Sequence, residues 1–290
     1  MVELKESGLI SWIHRRKTVS WQHPAVRALV PVIDSVDRVV RNASSDGRSN
    51  VPRYSERIRS NGMRHQFGGR LFLDSGRADV AALVKQGVLS SRTDVLDIGC
   101  GVGRLTTALV DVLESGTYIG LDVDQPSIQS CTQNLLFREP TFHFEHLDAA
   151  SELYNPSGGE DSRSISLPLA TASRDLIVAM SLFTHLFTKE CENYAREMLR
   201  ILRPGGAIVV TALLIDPDSP VGDFRHDVNG AHVSAKNMPR KGVAYTRQDV
   251  TRWFGPDHML LRGRWHADGV FEAPRQQDWV VVRPHERSSP

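Results

Sequence analysis

A glycine-rich stretch at residues 95–106 holds the residue types whose spacing best predicts a ligand site. It reads VLDIGCGVGRLT, an apolar run followed by Gly99, Gly101 and Gly103 at every second position. Glycine admits positive φ and lets a ligand approach the backbone without a Cβ in the way. Helical spacing over residues 104–113 predicts a helix behind the turn, whose first N–H groups are free. The stretch therefore predicts a nucleotide site at the carboxyl end of a buried parallel strand.

The spacing of the glycines indicates which nucleotide the turn would bind. The dinucleotide fingerprint G-x-G-x-x-G needs a third glycine where this chain has Arg104. Asp97 instead precedes the glycines and completes the pattern D-x-G-x-G-x-G. This pattern resembles motif I of the class I S-adenosylmethionine-dependent methyltransferases. A dinucleotide site and a glycine turn without a ligand remain as alternatives.

The resemblance implies a donor, S-adenosylmethionine, and a fold. The expected fold is α/β, a doubly wound and mostly parallel seven-stranded sheet of order 3-2-1-4-5-7-6 whose last strand is antiparallel. The string LRPGG at residues 202–206 is also typical of the family, as a tight helix–strand turn. Within motif I, the resemblance assigns donor contacts to Asp97, Gly99, Cys100, Gly101 and Gly103.

An acid at the end of the second predicted strand, residues 117–123, is the next candidate. A carboxylate at the position of Asp122 can accept hydrogen bonds from both ribose hydroxyls of an adenosyl group. The alternative is a cap or turn residue. Asp124 competes for the ribose role, but we expect it to cap the helix that follows.

The third and fourth predicted strands, residues 141–147 and 175–180, each end at further candidates. The resemblance implies that an acid after the third strand binds the adenine amino group, although Asp148 also suits a plain turn. Further donor contacts are implied at Val123, Ala149 and Ser181.

The rim of the fourth strand is where the methyl group would meet its acceptor. An alcohol acceptor must lose its proton, and histidine is the usual base near neutral pH. His185 is the first candidate, with packing of its ring as the rival interpretation; His226, His232 and His266 rank lower. The Asn-Pro-Pro-aromatic motif of adenine methyltransferases is absent at residues 181–186, which argues against methylation of adenine. The run S-L-F-T-H-L found there instead resembles small-molecule methyltransferases.

Two segments lie outside the motifs. Residues 1–64 are expected to form a helical extension that packs on the main domain or closes the site; a membrane-surface or partner helix is the alternative. Residues 65–290 are expected to form the Rossmann-like domain, with a polar substrate-side insertion at residues 213–244 acting as a solvated lid. Its acids and histidines lack fixed ligand spacing, so no metal is predicted.

The composition of the chain limits the binding partners and the cellular location that we expect. The net charge is +1, which argues against a nucleic-acid surface. Three widely spaced cysteines suggest a reducing compartment. No apolar run reaches the ~20 residues of a membrane span, and the start lacks a signal-peptide h-region. We expect a soluble cytoplasmic protein whose oligomeric state is open, a homodimer included.

The expected activity is O-methylation of a small molecule, such as a saccharide, a lipid-linked sugar or a secondary metabolite. One alternative is an inactive donor-binding module that acts through a protein partner. The other is an NAD-binding oxidoreductase.

Overall fold

The structure, a computed structural model, describes residues 24–44, 50–61, 67–134, 137, 141–215, 224, 226–237, 239–266 and 272–284. The chain divides into two compact units, residues 1–74 and 75–290. The first contains α1 (Pro24–Asn42) and α2 (Tyr54–Asn61), and α3 (Arg70–Lys85) begins in it. Residues 1–23, 45–49 and 62–64 of the expected helical extension lie outside the described residues.

A buried carboxylate organises the first unit. Asp37 of α1 accepts hydrogen bonds from Arg41 Nε at 2.8 Å, Arg57 Nη2 at 2.7 Å and the backbone N–H of Gly68 at 2.8 Å. Burial lowers the pKa of Arg57 although Asp37 opposes that change. Removing either charge would leave the other buried and unpaired, which is costly. The described helices of this unit are thus joined by an ionic cluster as well as by apolar packing.

Seven strands of the described residues form one sheet in the second unit. They are β1 (Val95–Ile98), β2 (Tyr118–Asp122), β3 (Phe142–His146), β4 (Arg174–Ala179), β5 (Leu202–Ala212), β9 (His258–Leu261) and β10 (Asp278–Val282). Their order is β3-β2-β1-β4-β5-β10-β9, and β10 runs antiparallel to both neighbours. Numbered as seven core strands, this is 3-2-1-4-5-7-6, so the predicted topology is confirmed.

The sheet is apolar on both faces because alternate residues of its central strands enter different clusters. Leu96, Ile177 and Ile208 belong to one cluster, whereas their neighbours Val95 and Val178 belong to the other. The helices that cover the faces of the sheet are α4 (Thr106–Leu109), α5 (Gln125–Gln133), α6 (Thr188–Ile201) and α7 (Arg247–Phe254), together with α3. Strands buried on both sides read as continuous apolar runs, which is why the sequence showed them.

The insertion differs from the solvated lid that its polar composition predicts. Its described part forms an antiparallel sheet of β6 (His226–Val228), β7 (Ala231–Val233) and β8 (Val243–Ala244). Asn229 and Gly230 connect β6 to β7 with positive φ at both positions, as a two-residue hairpin turn requires. Ala231, Val233 and Val243 are fully buried in the main core. A few apolar side chains therefore anchor a mostly polar segment.

Candidate functional site

The glycine turn joins β1 to α4 at the carboxyl edge of the sheet. Gly99, Gly101 and Gly103 have φ of 77°, 55° and 79°, which confirms a turn built on left-handed backbone. A Cβ on Gly103 would lie 2.6 Å from the Phe137 ring, so this glycine is needed for packing. A Cβ on Gly99 would meet only Leu182, at 3.7 Å, so space remains beside it.

The N–H groups of this turn are used within the protein. Gly99 and Cys100 both donate to the Leu121 carbonyl, at 2.7 and 3.1 Å, and Gly103 donates to the Cys100 carbonyl at 3.1 Å. Gly101 donates to Asp122 Oδ2 at 2.7 Å. The sequence predicts free donors behind the glycines, whereas the N–H groups of the glycines themselves already have acceptors within the protein. A turn whose donors are occupied suits a pyrophosphate poorly.

Asp122 closes the turn from the end of β2. Its Oδ1 accepts the Asp124 N–H at 2.8 Å and its Oδ2 accepts that of Gly101. Each carboxylate oxygen has a second acceptor position. Burial raises the pKa of Asp122 to about 6, although the two backbone donors lower it. Asp124 caps α5 by accepting the Ser127 N–H at 3.1 Å, which confirms its predicted role.

Asp97 and Cys100 lie inside the turn. Tyr118 Oη donates to Asp97 Oδ2 at 2.9 Å and accepts from Thr106 Oγ1 at 2.9 Å. Burial raises the pKa of Asp97 to about 7. The Cys100 side chain is also buried. Both side chains are buried and support the turn from within.

The end of β3 carries the predicted adenine residues. Asp148 is exposed, and its Oδ1 accepts Asn155 Nδ2 at 3.4 Å. Ala149 is fully buried, and its N–H donates to the Leu147 carbonyl at 2.8 Å. Val123 is half-buried beside Asp122, and its carbonyl oxygen accepts a hydrogen bond from His146 Nε2 at 3.1 Å. The three residues lie at neighbouring strand ends, as predicted.

A polar network fixes Ser181 at the end of β4. Its φ is 66°, an uncommon value for a residue with a side chain. Its N–H donates to Thr211 Oγ1 at 2.6 Å, and its hydroxyl contacts Gln277 Oε1 at 3.1 Å. Thr211 contacts the same Gln277 oxygen at 2.5 Å. Sequence reasoning missed Thr211 and Gln277, because neither belongs to a motif.

His185 lies in a short 3₁₀ helix after Ser181 and is oriented by the insertion. Its Nδ1 lies 2.7 Å from the Arg240 carbonyl, and Arg240 Nη1 donates to the His185 carbonyl at 3.2 Å. A carbonyl only accepts, so Nδ1 carries the proton in this contact. Burial lowers the pKa of His185, the hydrogen bond to Arg240 opposes this, and the Arg240 charge lowers it further. The neutral ring therefore has its lone pair on Nε2.

Tyr154 is a second residue that the sequence did not reveal. Its ring meets His185 edge-on, with centroids 6.1 Å apart. Burial raises the pKa of Tyr154, and the charges of Asp122 and Asp124 raise it further. Tyr154 thus lies close to both the donor-side acids and the candidate base. It comes from a loop without motif, so only the three-dimensional structure could place it.

The other histidines do not join this arrangement through any described contact. His266 Nε2 lies 2.8 Å from Asp278 Oδ1, and Asp278 also accepts from Trp265, Gly263 and Leu214. Among the described residues, no group of three His, Cys, Asp or Glu side chains is placed to hold a metal. Asp216, Asp218 and Asp223 lie outside the described residues.

Comparison with known proteins supports the motif. Residues 95–206 match the family model described as a methyltransferase domain. Over these residues the chain is similar to a methyltransferase domain. This confirms the resemblance stated from motif I, and the matched range contains Asp122, Ser181 and His185.

Two curated relatives illustrate the range of acceptors. Malonyl-[acyl-carrier protein] O-methyltransferase of Hahella chejuensis is 27% identical over 142 residues, which cover 49% of this chain and 44% of that protein. The rRNA N(6)-adenosine-methyltransferase metl-5 of Caenorhabditis elegans is 28% identical over 119 residues, covering 39% and 49%. The chain thus spans less than half the length of these relatives.

A solved structure supports the fold. Phosphoethanolamine N-methyltransferase 1 of Haemonchus contortus aligns with a TM-score of 0.51 at 15% identity, covering 90% of this chain and 51% of that one. At this identity the likeness concerns the fold alone. Within the described ranges, no helix has the length and apolarity to cross a membrane.

Proposed function

We propose that this methyltransferase domain uses S-adenosylmethionine to methylate an oxygen atom of a small molecule. The observation that carries the proposal is the hydrogen bond from Gly101 to Asp122, within the range matched by the methyltransferase family. It joins a bare glycine turn to a carboxylate on the adjacent strand. Together they would provide glycine backbone without side chains and a carboxylate that can accept hydrogen bonds from the ribose hydroxyls of S-adenosylmethionine.

The donor set fits this cofactor better than a dinucleotide. Asp122 retains an acceptor position on each oxygen for the two ribose hydroxyls. The Gly99, Cys100 and Gly101 N–H groups, which a pyrophosphate would need as donors, are already engaged within the protein. Asp148 and Ala149 would border the adenine, and Ser181 would border the methyl end. The bound donor supplies an activated methyl group, and the protein must align the acceptor and exclude water.

His185 is the residue that we propose to take the acceptor proton. Its lowered pKa keeps the ring neutral at pH 7, and the Arg240 carbonyl leaves Nε2 as the free base position. A fixed tautomer is what general-base catalysis requires. A nitrogen acceptor of the adenine type is disfavoured because residues 181–186 lack the Asn-Pro-Pro-aromatic motif.

Calorimetry tests the donor. The full chain should bind S-adenosylhomocysteine and S-adenosylmethionine and show no heat with NAD. A second assay should follow the transfer of a labelled methyl group from S-adenosylmethionine to a metabolite extract. Binding of NAD instead of the methyl donor would refute the proposal. Donor binding without any transfer would identify a binding module rather than an enzyme.

A further inference from the structure

The insertion contributes a residue to the surroundings of the proposed base. Arg240 lies in a short 3₁₀ helix, Pro239–Lys241, between β7 and β8. Its position is outside residues 95–206, the range that matches the methyltransferase family, whereas His185 lies inside that range. The residue beside the proposed base therefore belongs to a part of the chain that the family match does not cover.

Arg240 contacts His185 through both its backbone and its side chain. Its carbonyl oxygen lies 2.7 Å from His185 Nδ1, and its Nη1 donates to the His185 carbonyl at 3.2 Å. Each of the two residues lies in a 3₁₀ helix of three residues, whose hydrogen bonds have poorer geometry than those of an α-helix. A stable contact between the Arg240 carbonyl and Nδ1 therefore needs an anchor elsewhere in the fold.

The guanidinium of Arg240 has such an anchor at the beginning of α6. Its Nη1 forms an ion pair with Glu190 Oε2 at 2.7 Å, and its Cζ lies 4.1 Å from the centroid of the Phe187 ring. The side chains of Arg240 and Glu190 are only 15% and 8% exposed, so water screens the pair weakly. Ion pairs and cation–π contacts both gain strength when they are shielded from water.

Glu190 is in turn held by the helix. Its Oε2 accepts the Phe187 N–H at 2.6 Å, in the capping box that begins α6. The same oxygen therefore receives both the backbone of the helix and the guanidinium of Arg240. A second ion pair of Arg240, from Nε to Glu152 Oε1 at 3.4 Å, involves a side chain that is 70% exposed and should contribute little. The element that locates Arg240 is thus α6.

We propose that Arg240 is a positioning residue for methyl transfer: anchored on Glu190 and Phe187, it holds its carbonyl on His185 Nδ1 and so keeps the Nε2 lone pair available for the acceptor proton. The inference rests on the proposed function and extends it from the base to the residue that controls its tautomer. Without the carbonyl, the neutral imidazole can carry its proton on either nitrogen, and a ring protonated at Nε2 cannot accept a proton there. The insertion thus contributes to the chemical step through His185.

Nitrogen-15 NMR of the full chain tests the tautomer without any acceptor. Protonated and unprotonated nitrogens of a neutral imidazole differ in chemical shift, and His185→Gln identifies the signals of His185. Arg240→Gln removes the ion pair with Glu190. Arg240→Lys keeps the charge but lacks the planar guanidinium, which covers Phe187 and reaches the His185 carbonyl at the same time.

A matched control and a transfer assay complete the test. Arg252→Gln also removes an arginine paired with an acid, since Arg252 Nη2 lies 3.2 Å from Asp249 Oδ1 on α7. Transfer of a labelled methyl group from S-adenosylmethionine to a metabolite extract, followed at several donor concentrations, separates the maximal rate from the KM of the donor. Urea unfolding shows whether each variant is folded.

We expect the Nδ1–H tautomer of His185 in the wild type and in Arg252→Gln, and a mixture of both tautomers in Arg240→Gln. The maximal rate of Arg240→Gln should fall at least about tenfold, a part of what a positioned base contributes. The KM of the donor should stay within about twofold, and Arg240→Lys should recover part of the rate.

An unchanged tautomer in Arg240→Gln would overturn the inference, and so would a changed tautomer with undiminished transfer. A lower rate that is matched by weaker donor binding or by loss of the fold would also overturn it, because Arg240 would then have a structural role alone. Undiminished transfer by His185→Gln would instead refute the proposed base. That failure is distinguishable from a failure of Arg240, because the tautomers are measured without an acceptor.

Discussion

The carboxyl edge of the sheet carries two groups of candidate site residues, and the two groups are held in place in different ways. On the donor side, at the ends of β1 and β2, the decisive hydrogen bond joins Gly101 to Asp122, 21 positions apart. At the end of β4, which we call the acceptor side because we propose that the methyl group is transferred there, Ser181 contacts Gln277 across 96 positions, and His185 contacts Arg240 across 55. The donor side is mainly a backbone shape, whereas the acceptor side is a network of side chains from distant segments.

This difference explains which half a motif can reveal. A backbone shape needs particular residues at fixed local spacing, because only glycine fits its φ values without cost. A side-chain network needs only compatible groups that the fold brings together, so its members can be far apart in sequence. Local spacing in the sequence can therefore reveal the glycine turn, whereas the network at the end of β4 has no comparable local signal.

The largest expected effect is on the donor side. Gly101→Val should abolish binding of S-adenosylhomocysteine in calorimetry, because a branched side chain would stand on the ligand path at a φ of 55°. Gly87→Val is the matched control: Gly87 has a φ of 67° and no neighbour within 4 Å of an added Cβ. It should show similar backbone strain and unchanged affinity. Full affinity in Gly101→Val would remove the glycine turn from the donor site.

On the acceptor side, the largest effect should come from His185. If Nε2 takes the acceptor proton, His185→Ala should lower turnover by about 10²–10⁴-fold while donor affinity is retained. The wild-type rate should fall in acid as the ring becomes protonated, at a pH below the ordinary histidine pKa because burial lowers it. Steady-state kinetics across pH measure both effects. A loss confined to donor affinity would instead assign His185 to packing.

Asp122 should contribute less than the turn itself. Asp122→Ala should weaken donor binding by roughly 1–3 kcal/mol, the cost of leaving hydroxyl partners unpaired. The ionised carboxylate is the better acceptor, so wild-type affinity should fall as pH decreases through about 6, the pKa of Asp122. Titration calorimetry at several pH values checks both statements. A pH-independent affinity in the wild type would move the ribose contact to another residue.

Asp97 tests whether a buried residue of the glycine turn affects the stability of the fold rather than ligand binding. Its pKa of about 7 exceeds the ordinary 3.8, so the folded state holds this proton more tightly than the unfolded state does. Its contribution to stability is therefore complete below about pH 4 and is lost as pH rises through 7. Asp97→Asn should remove this pH dependence of the free energy of unfolding, which amounts to at most about 4 kcal/mol for three pKa units. Urea unfolding at pH 5 and pH 8 should show the variant gaining relative to wild type at pH 8.

Much of the fold could be predicted from sequence because its signals are local. Apolar runs predict the central strands. The spacing Thr246-x-x-Asp249 is that of a capping box, which opens α7 with hydrogen bonds of 2.9 and 3.2 Å. The small sheet of the insertion was missed, although Asn229-Gly230 is a strong hairpin signal. Its strands have two or three residues each, too few for a period to be recognised.

The candidate site residues also divide into those with a local sequence signal and those without one. Asp122 and the glycines follow from spacing, and Ser181 and His185 follow from their position after a strand. Tyr154, Arg240 and Gln277 could not be found, because their roles depend on loops that approach the sheet edge only in the folded chain. The polar composition of the insertion likewise concealed the buried side chains that hold Arg240 beside His185.

The smallest effect should come from Ser181, whose position depends both on its backbone conformation and on side-chain hydrogen bonds. Its φ of 66° is strained for serine, and its hydroxyl contacts Gln277. Ser181→Ala keeps the strain and loses the hydroxyl, whereas Ser181→Gly loses the hydroxyl and relieves the strain. The alanine variant should therefore be less stable than the glycine variant by about 1 kcal/mol in urea unfolding. Equal stability would mean that the contacts of Thr211 and Gln277, rather than the backbone conformation, determine the free energy at this strand end.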